Sequence, residues 1–185
     1  FVLLYNRTEG GKGLPVAAGS KLSLFSSSSV DLLAGGTGSG VSTISSDMRT
    51  ALTEQGFAVN EALWKFYSDN HGTYTRGGGS IMYGGAEDWT IKEAPVSAIP
   101  ADAKSEAEGT IPVFFMARTG GEGRDLGRYM GEWTSESADK DKHYLEPNSV
   151  ELEVIQYLND NFDNVILVVN TNNAFELGWV ADYPN

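Results

Sequence analysis

The stretch Ile111-Pro112-Val113-Phe114-Phe115-Met116-Ala117, broken by Arg118-Thr119-Gly120-Gly121-Glu122-Gly123-Arg124-Asp125, decides how this chain is read. An apolar run of that length, bounded by turn residues, reads as a strand covered on both faces. In open α/β sheets the loop at the carboxyl end of such a strand is where ligands sit. The glycines there allow a tight turn and close backbone approach, and they leave Glu122 projecting from a loop with little side-chain bulk. That is a suitable seat for a working carboxyl group. Arg118, Arg124 and Arg128 favour its ionised form, however, whereas a general acid at neutral pH needs desolvation or a second negative charge. Acid chemistry at Glu122 therefore requires something from outside this loop.

Working outward, the pattern alternates strand and helix. Leu22 to Phe25 reads as a short strand and Ser26 to Ser42 as a Ser/Gly loop. Thr43 to Gln55 carries Ile44, Met48, Ala51 and Leu52 at helical spacing, and a second helix, Glu61 to Tyr67, is capped by Asn60. Glycine, proline and charge dominate from Asn70 to Gly109, which predicts an irregular insert. Ser149 begins a helix with Glu151 and Glu153 in its first turn and Val150, Val154, Ile155 and Leu158 on one face. It feeds Val165 to Val169, read as a second fully buried strand, which ends in Asn170-Thr171-Asn172-Asn173. Strand, helix and strand with long apolar runs predict an α/β fold with a mostly parallel sheet.

Composition narrows the chemistry. With 185 residues, 41% of them hydrophobic, one domain with a substantial core is expected. Thirteen Lys plus Arg against 25 Asp plus Glu give a net charge of −12, which provides no basic footprint for nucleic acid or an anionic membrane and suits a neutral ligand. Cysteine is absent, so no disulfide framework or thiolate nucleophile exists. His71 and His143 stand far apart and read as surface residues; no cluster of His and carboxylates is evident, and neither metal nor cofactor is expected. The apolar runs fall well short of the ~20 residues of a membrane span. Gly35-Gly36-Thr37-Gly38-Ser39-Gly40-Val41-Ser42 approaches a phosphate loop, but Val41 stands where the lysine must be. No Gly-x-Ser-x-Gly elbow occurs. The chain begins without Met and stops after an apolar helical turn, which predicts a piece of a longer polypeptide.

Taken together in order and spacing, several segments resemble the carboxyl-terminal α/β-sandwich domain of glycoside hydrolase family 3, which includes β-glucosidases. Val2-Leu3-Leu4-Tyr5-Asn6 with Leu14-Pro15-Val16 resembles the segment leading into that domain, and Leu22-Ser23-Leu24-Phe25 its first strand. Gly36 to Gly40 is similar to its glycine loop, Glu93-Ala94-Pro95-Val96 to a later motif, and Arg118 to Asp125 to the loop with the Gly-Glu-Gly-x-Asp core. Asn170 to Asn173 with Glu176-Leu177-Gly178-Trp179 resembles the segment after the next strand.

The resemblance implies a three-layer α/β sandwich of flavodoxin-like character over residues 21–185, incomplete at its carboxyl end, with residues 1–20 linking it to a preceding domain. It implies a retaining β-glycosidase in which a preceding (β/α)8 barrel supplies the nucleophile and most sugar contacts. Glu122 would be the general acid/base, and Arg118, Gly121, Gly123 and Asp125 would order its loop or lie near substrate, Asp125 by pairing with Arg118 or Arg124. No nucleophile is expected in this chain, and the chain alone is expected to be inactive. Leu126 stands where many members carry Arg, so no role of that Arg transfers. Two rival classes are a noncatalytic carbohydrate-binding module, which would need exposed aromatic platforms among Trp64, Trp89, Trp133 and Trp179, and a structural or interaction domain.

Overall fold

The computed structural model describes residues 2–8, 10, 12–34, 44–78, 87–120, 125–171 and 173–185. Its central sheet contains β1 (Lys21–Phe25), β2 (Ala58–Val59), β5 (Ile111–Arg118) and β6 (Ile166–Thr171) in the order β2-β1-β5-β6, all pairs parallel. A separate antiparallel pair joins β3 (Thr75–Arg76) to β4 (Ile91–Lys92). The helices are α1 (Ser27–Val30), α2 (Met48–Glu54), α3 (Glu61–Asn70), α4 (Ala101–Ala107) and α5 (Ser149–Asn161).

Side chains alternate across a strand, and here both faces are apolar. Phe25, Phe114 and Met116 point into one core with Leu63 and Tyr67 of α3, Ala103 and Ala107 of α4, and Val154, Ile155 and Leu158 of α5. Leu22, Leu24, Val113 and Phe115 point into the opposite core, where Val59, Trp64, Met48 and Leu52 cover them. The result is the expected three-layer α/β arrangement with a mostly parallel sheet.

Local chemistry fixes the ends of the helices. Asn60 accepts a hydrogen bond from the Leu63 amide at 2.9 Å and starts α3, while its amide nitrogen donates to Ala103 O at 2.9 Å and so ties α3 to the start of α4. Asn148 and Glu151 form a reciprocal capping box at the start of α5.

Three expectations need correction. The Ser/Gly segment is not all loop: Ser27–Val30 forms a helical turn capped by the Ser26 hydroxyl, which accepts from the Ser28 amide. The stretch 70–109 is not irregular where described: it supplies β3, β4 and α4, and it buries Trp89, Ala94, Ile99, Ala103 and Ala107. Alanines at helical spacing let α4 approach the core closely, which a hydrophobicity reading undervalues. Finally, β6 is not fully buried; every residue in it is half-buried, since β5 is its one partner among the described residues.

Candidate functional site

The sheet order places a topological switch between β1 and β5, because the chain passes from β1 outward to β2 and later returns to β5 on the other side of β1. In open α/β sheets such a switch opens a crevice at the carboxyl ends of the two strands. Those ends are Phe25 and Arg118, and the connections that leave them are the ones singled out from the sequence. Gly121, Glu122, Gly123 and Arg124 lie outside the described residues, as do Gly35 to Ser42 with the phosphate-loop-like glycines.

What surrounds that edge is a built polar framework. Arg118 is completely buried, and Nη1 and Nη2 donate to the two carboxylate oxygens of Glu151 at 2.8 and 2.7 Å. Nε donates to Tyr144 O at 2.8 Å, Nη2 to Glu146 O at 2.6 Å and Nη1 to Ala117 O at 3.0 Å. All five guanidinium N–H groups are thereby satisfied. The Phe175 ring closes over the group at 4.9 Å. Tyr144 extends the framework: its hydroxyl donates to Thr119 O and accepts from Thr119 N, both at 3.1 Å. Thr119 Oγ1 donates to Gly77 O at 2.9 Å. The backbone at Arg118 and Thr119 is thus clamped from α5, from the returning connection and from the segment after β3.

This changes the reading of the predicted residues. Arg118 is committed to Glu151, so it does not pair with Asp125, which is exposed. The Arg118 guanidinium has no donor left for a ligand. A sequence reading could not find Glu151 as its partner, because the two stand 33 residues apart and Glu151 already serves as a capping residue.

A second carboxyl group at the same edge carries an unexpected property. Glu93 is buried beside the amino-terminal turn of α1, where burial pushes its carboxyl from 4.5 up to about 8. Hydrogen bonding from Ser26, Ala94 and Ser27 pulls it back only in part, and the charge of Glu151 adds to the rise. The Ala94 amide donates to it at 2.8 Å. Ser26 adopts φ 86 and ψ 142, a region non-glycine residues rarely occupy and one associated with functional sites. The hydroxyl of Tyr67 is buried beside Ser26, and its pKa is raised by burial and then by Glu93. The short motif Glu93 to Val96 marks this place in the sequence; its burial is what the sequence hides. Nearby, a cleft of about 380 Å³ opens beside Asp31, Leu32, Ile44, Ser46, Asp47 and Met48.

Burial and proximity bear on two further expectations. Trp64 and Trp89 are buried, Trp89 edge-on to Tyr144 at 5.3 Å, so neither offers a sugar platform. Contrary to the expected lack of a His and carboxylate cluster, His143 meets Glu146 and Glu176, with one ligand atom from each within 4.8 Å of the others. Glu176 lies 33 residues from His143 in sequence, so spacing gave no signal. No helix among the described residues is long and apolar enough to cross a membrane.

No protein-family profile matches the chain, and no curated protein does. Solved structures do. A β-glucosidase from Paenibacillus barengoltzii superposes with a TM-score of 0.68 at 23% identity, over 98% of this chain and 18% of that one. β-Glucosidase 3B from Thermotoga neapolitana, in complex with α-D-glucose, superposes with a TM-score of 0.66 at 22% identity, over 100% of this chain and 24% of that one. The chain spans about a fifth to a quarter of the length of these enzymes. It therefore has the fold of one segment of these β-glucosidases.

Proposed function

We propose that this chain is the carboxyl-terminal α/β domain of a retaining β-glycosidase of glycoside hydrolase family 3. In this reading it lends Glu122 as general acid/base to an active site completed by a (β/α)8 barrel of the same polypeptide. The observation that carries the proposal is the match of nearly the whole chain to a minor part of two β-glucosidases, together with the Gly-Glu-Gly-x-Asp loop at residues 121–125 after a central strand. Glu122 first protonates the departing glycosidic oxygen. It then removes a proton from the water that releases the glycosyl-enzyme, with the two carboxyl groups ~5 to 5.5 Å apart. The barrel's nucleophile and the bound sugar provide the negative charge and dryness that the arginine-flanked loop lacks. Arg118, Glu151 and Tyr144 hold the foot of the loop, so the reach of Glu122 is set from a fixed base.

Kinetics on an aryl β-glucoside tests this. The chain alone is expected to show no hydrolysis, and the polypeptide that carries the barrel is expected to be active. There, Glu122→Gln is expected to lower kcat by about 10²- to 10⁴-fold. Hydrolysis by the chain alone that Glu122→Gln abolishes, or wild-type turnover of the variant in the larger polypeptide, would overturn the proposal.

A further inference from the structure

The connection after β5 returns to the sheet edge at His143 to Glu146, where it meets the segment after β6 at Glu176. We propose that His143, Glu146 and Glu176 bind a divalent transition-metal ion, Zn²⁺ in the first instance, which ties these two segments together. This is independent of any role of Glu122.

The three donors stand on backbone already fixed by other interactions. The carbonyl of Glu146 accepts from buried Arg118 at 2.6 Å, and the Glu146 amide donates to His143 O at 3.0 Å. The Glu176 amide donates to Leu145 O at 3.1 Å, which joins the two segments directly, and Trp179 Nε1 donates to Glu176 O at 2.6 Å. The side chains then converge. His143 Nδ1 is 3.4 Å from Glu176 Oε1 and 4.0 Å from Glu146 Oε1. In a tetrahedral zinc site with bonds of about 2.0–2.2 Å, neighbouring ligand atoms stand about 3.3–3.6 Å apart, so side-chain rotation would draw in a trio that already lies within 4.8 Å, with Glu146 Oε1 also accepting from the His143 amide at 3.0 Å. The fourth position faces solvent and takes water, since His143 and Glu176 are exposed.

Charge points the same way. Among the described residues, His143 is the one basic side chain within ion-pair reach of Glu146 or Glu176. The adjacent Lys142 is held by Asp139 at 3.0 Å and by Pro147 O at 3.2 Å. Two carboxylate side chains and an imidazole suit a doubly charged ion, and the imidazole favours zinc, cobalt or nickel over magnesium or calcium. The Tyr129 ring, 5.4 Å from the imidazole, limits how the ring can turn. With no cysteine in the chain, no thiolate competes for the ion.

The test is calorimetric titration of the chelator-treated, dialysed protein with Zn²⁺, alongside Co²⁺ absorption in the visible range. One ion per chain is expected with micromolar or tighter affinity, unaffected by excess Mg²⁺, together with a rise in Tm. Glu176→Gln and His143→Ala should each weaken binding at least about tenfold, and His71→Ala should not. Glu176 is exposed, so Glu176→Gln keeps the test valid even where His143→Ala loses its fold. No saturable binding, equal affinity in wild type and Glu176→Gln, or displacement by Mg²⁺ would each overturn the proposal.

Discussion

Arg118 and Glu151 face each other through two parallel hydrogen bonds of 2.8 and 2.7 Å, with both side chains buried. The pair joins the last residue of β5 to the first turn of α5, and so joins the strand that leads into the glycine-rich loop to the helix that follows it. Removing one partner strands a buried charge, which costs far more than the pair itself contributes. Glu151→Gln and Arg118→Met are each expected to lower the unfolding free energy by about 3–5 kcal/mol. Arg118→Lys should not restore it, because an ammonium cannot make the paired bonds. Urea unfolding checks this; a loss below about 1 kcal/mol would be that of a solvated surface pair.

Glu93 gives the protein a pH dependence of known sign. Its carboxyl titrates near 8 when folded and near 4.5 when not, so the folded state holds the proton more tightly. Its contribution to stability is complete below the lower value and is lost as pH rises towards about 8. Thermal unfolding of wild type and Glu93→Gln across that window should show the variant gaining relative stability with rising pH. A constant difference between the two would contradict the buried, neutral carboxyl.

Gly77 has no room for a methyl group. A Cβ there would stand 2.2 Å from Asp88 O, and the Gly77 carbonyl is also what Thr119 Oγ1 binds at the end of β5. Gly77→Ala is expected to cost about 1–3 kcal/mol by overpacking. Gly72→Ala, with nothing within 4 Å of the added atom, should stay within about 0.5 kcal/mol of wild type.

Asn148 caps α5 and also donates to Ile91 O at 3.2 Å, which links β4 to the helix start. Asn148→Ala is expected to lower stability by about 1 kcal/mol or somewhat more, measured by chemical denaturation.

The central strand, the Asn60 cap and the α5 start were legible in the sequence because period and capping chemistry are local signals. β5 announces itself through seven consecutive apolar residues and is buried as that run demands. The turn Ser27–Val30 was not legible, since serines favour loops and only Ser26 as cap and the core beneath hold it helical. Likewise α4 hides among glycines and prolines because its buried residues are alanines. At the candidate site, the strand that leads into the glycine-rich stretch was legible, but the side chains that hold its carboxyl end were not. Arg118 finds Glu151, and His143 finds Glu176, only once α5 and β6 have folded back onto the sheet.

The most direct test of the account replaces Glu122 by alanine in the polypeptide that carries the barrel and follows turnover of an activated aryl β-glucoside with and without azide. A residue that activates water in the second step of a retaining mechanism can be bypassed by an anionic nucleophile that needs no base. The expected result is slow turnover that azide restores, with a β-glycosyl azide as product. Unimpaired turnover without azide, or an impaired enzyme that azide neither accelerates nor diverts to that product, would contradict Glu122 as the acid/base.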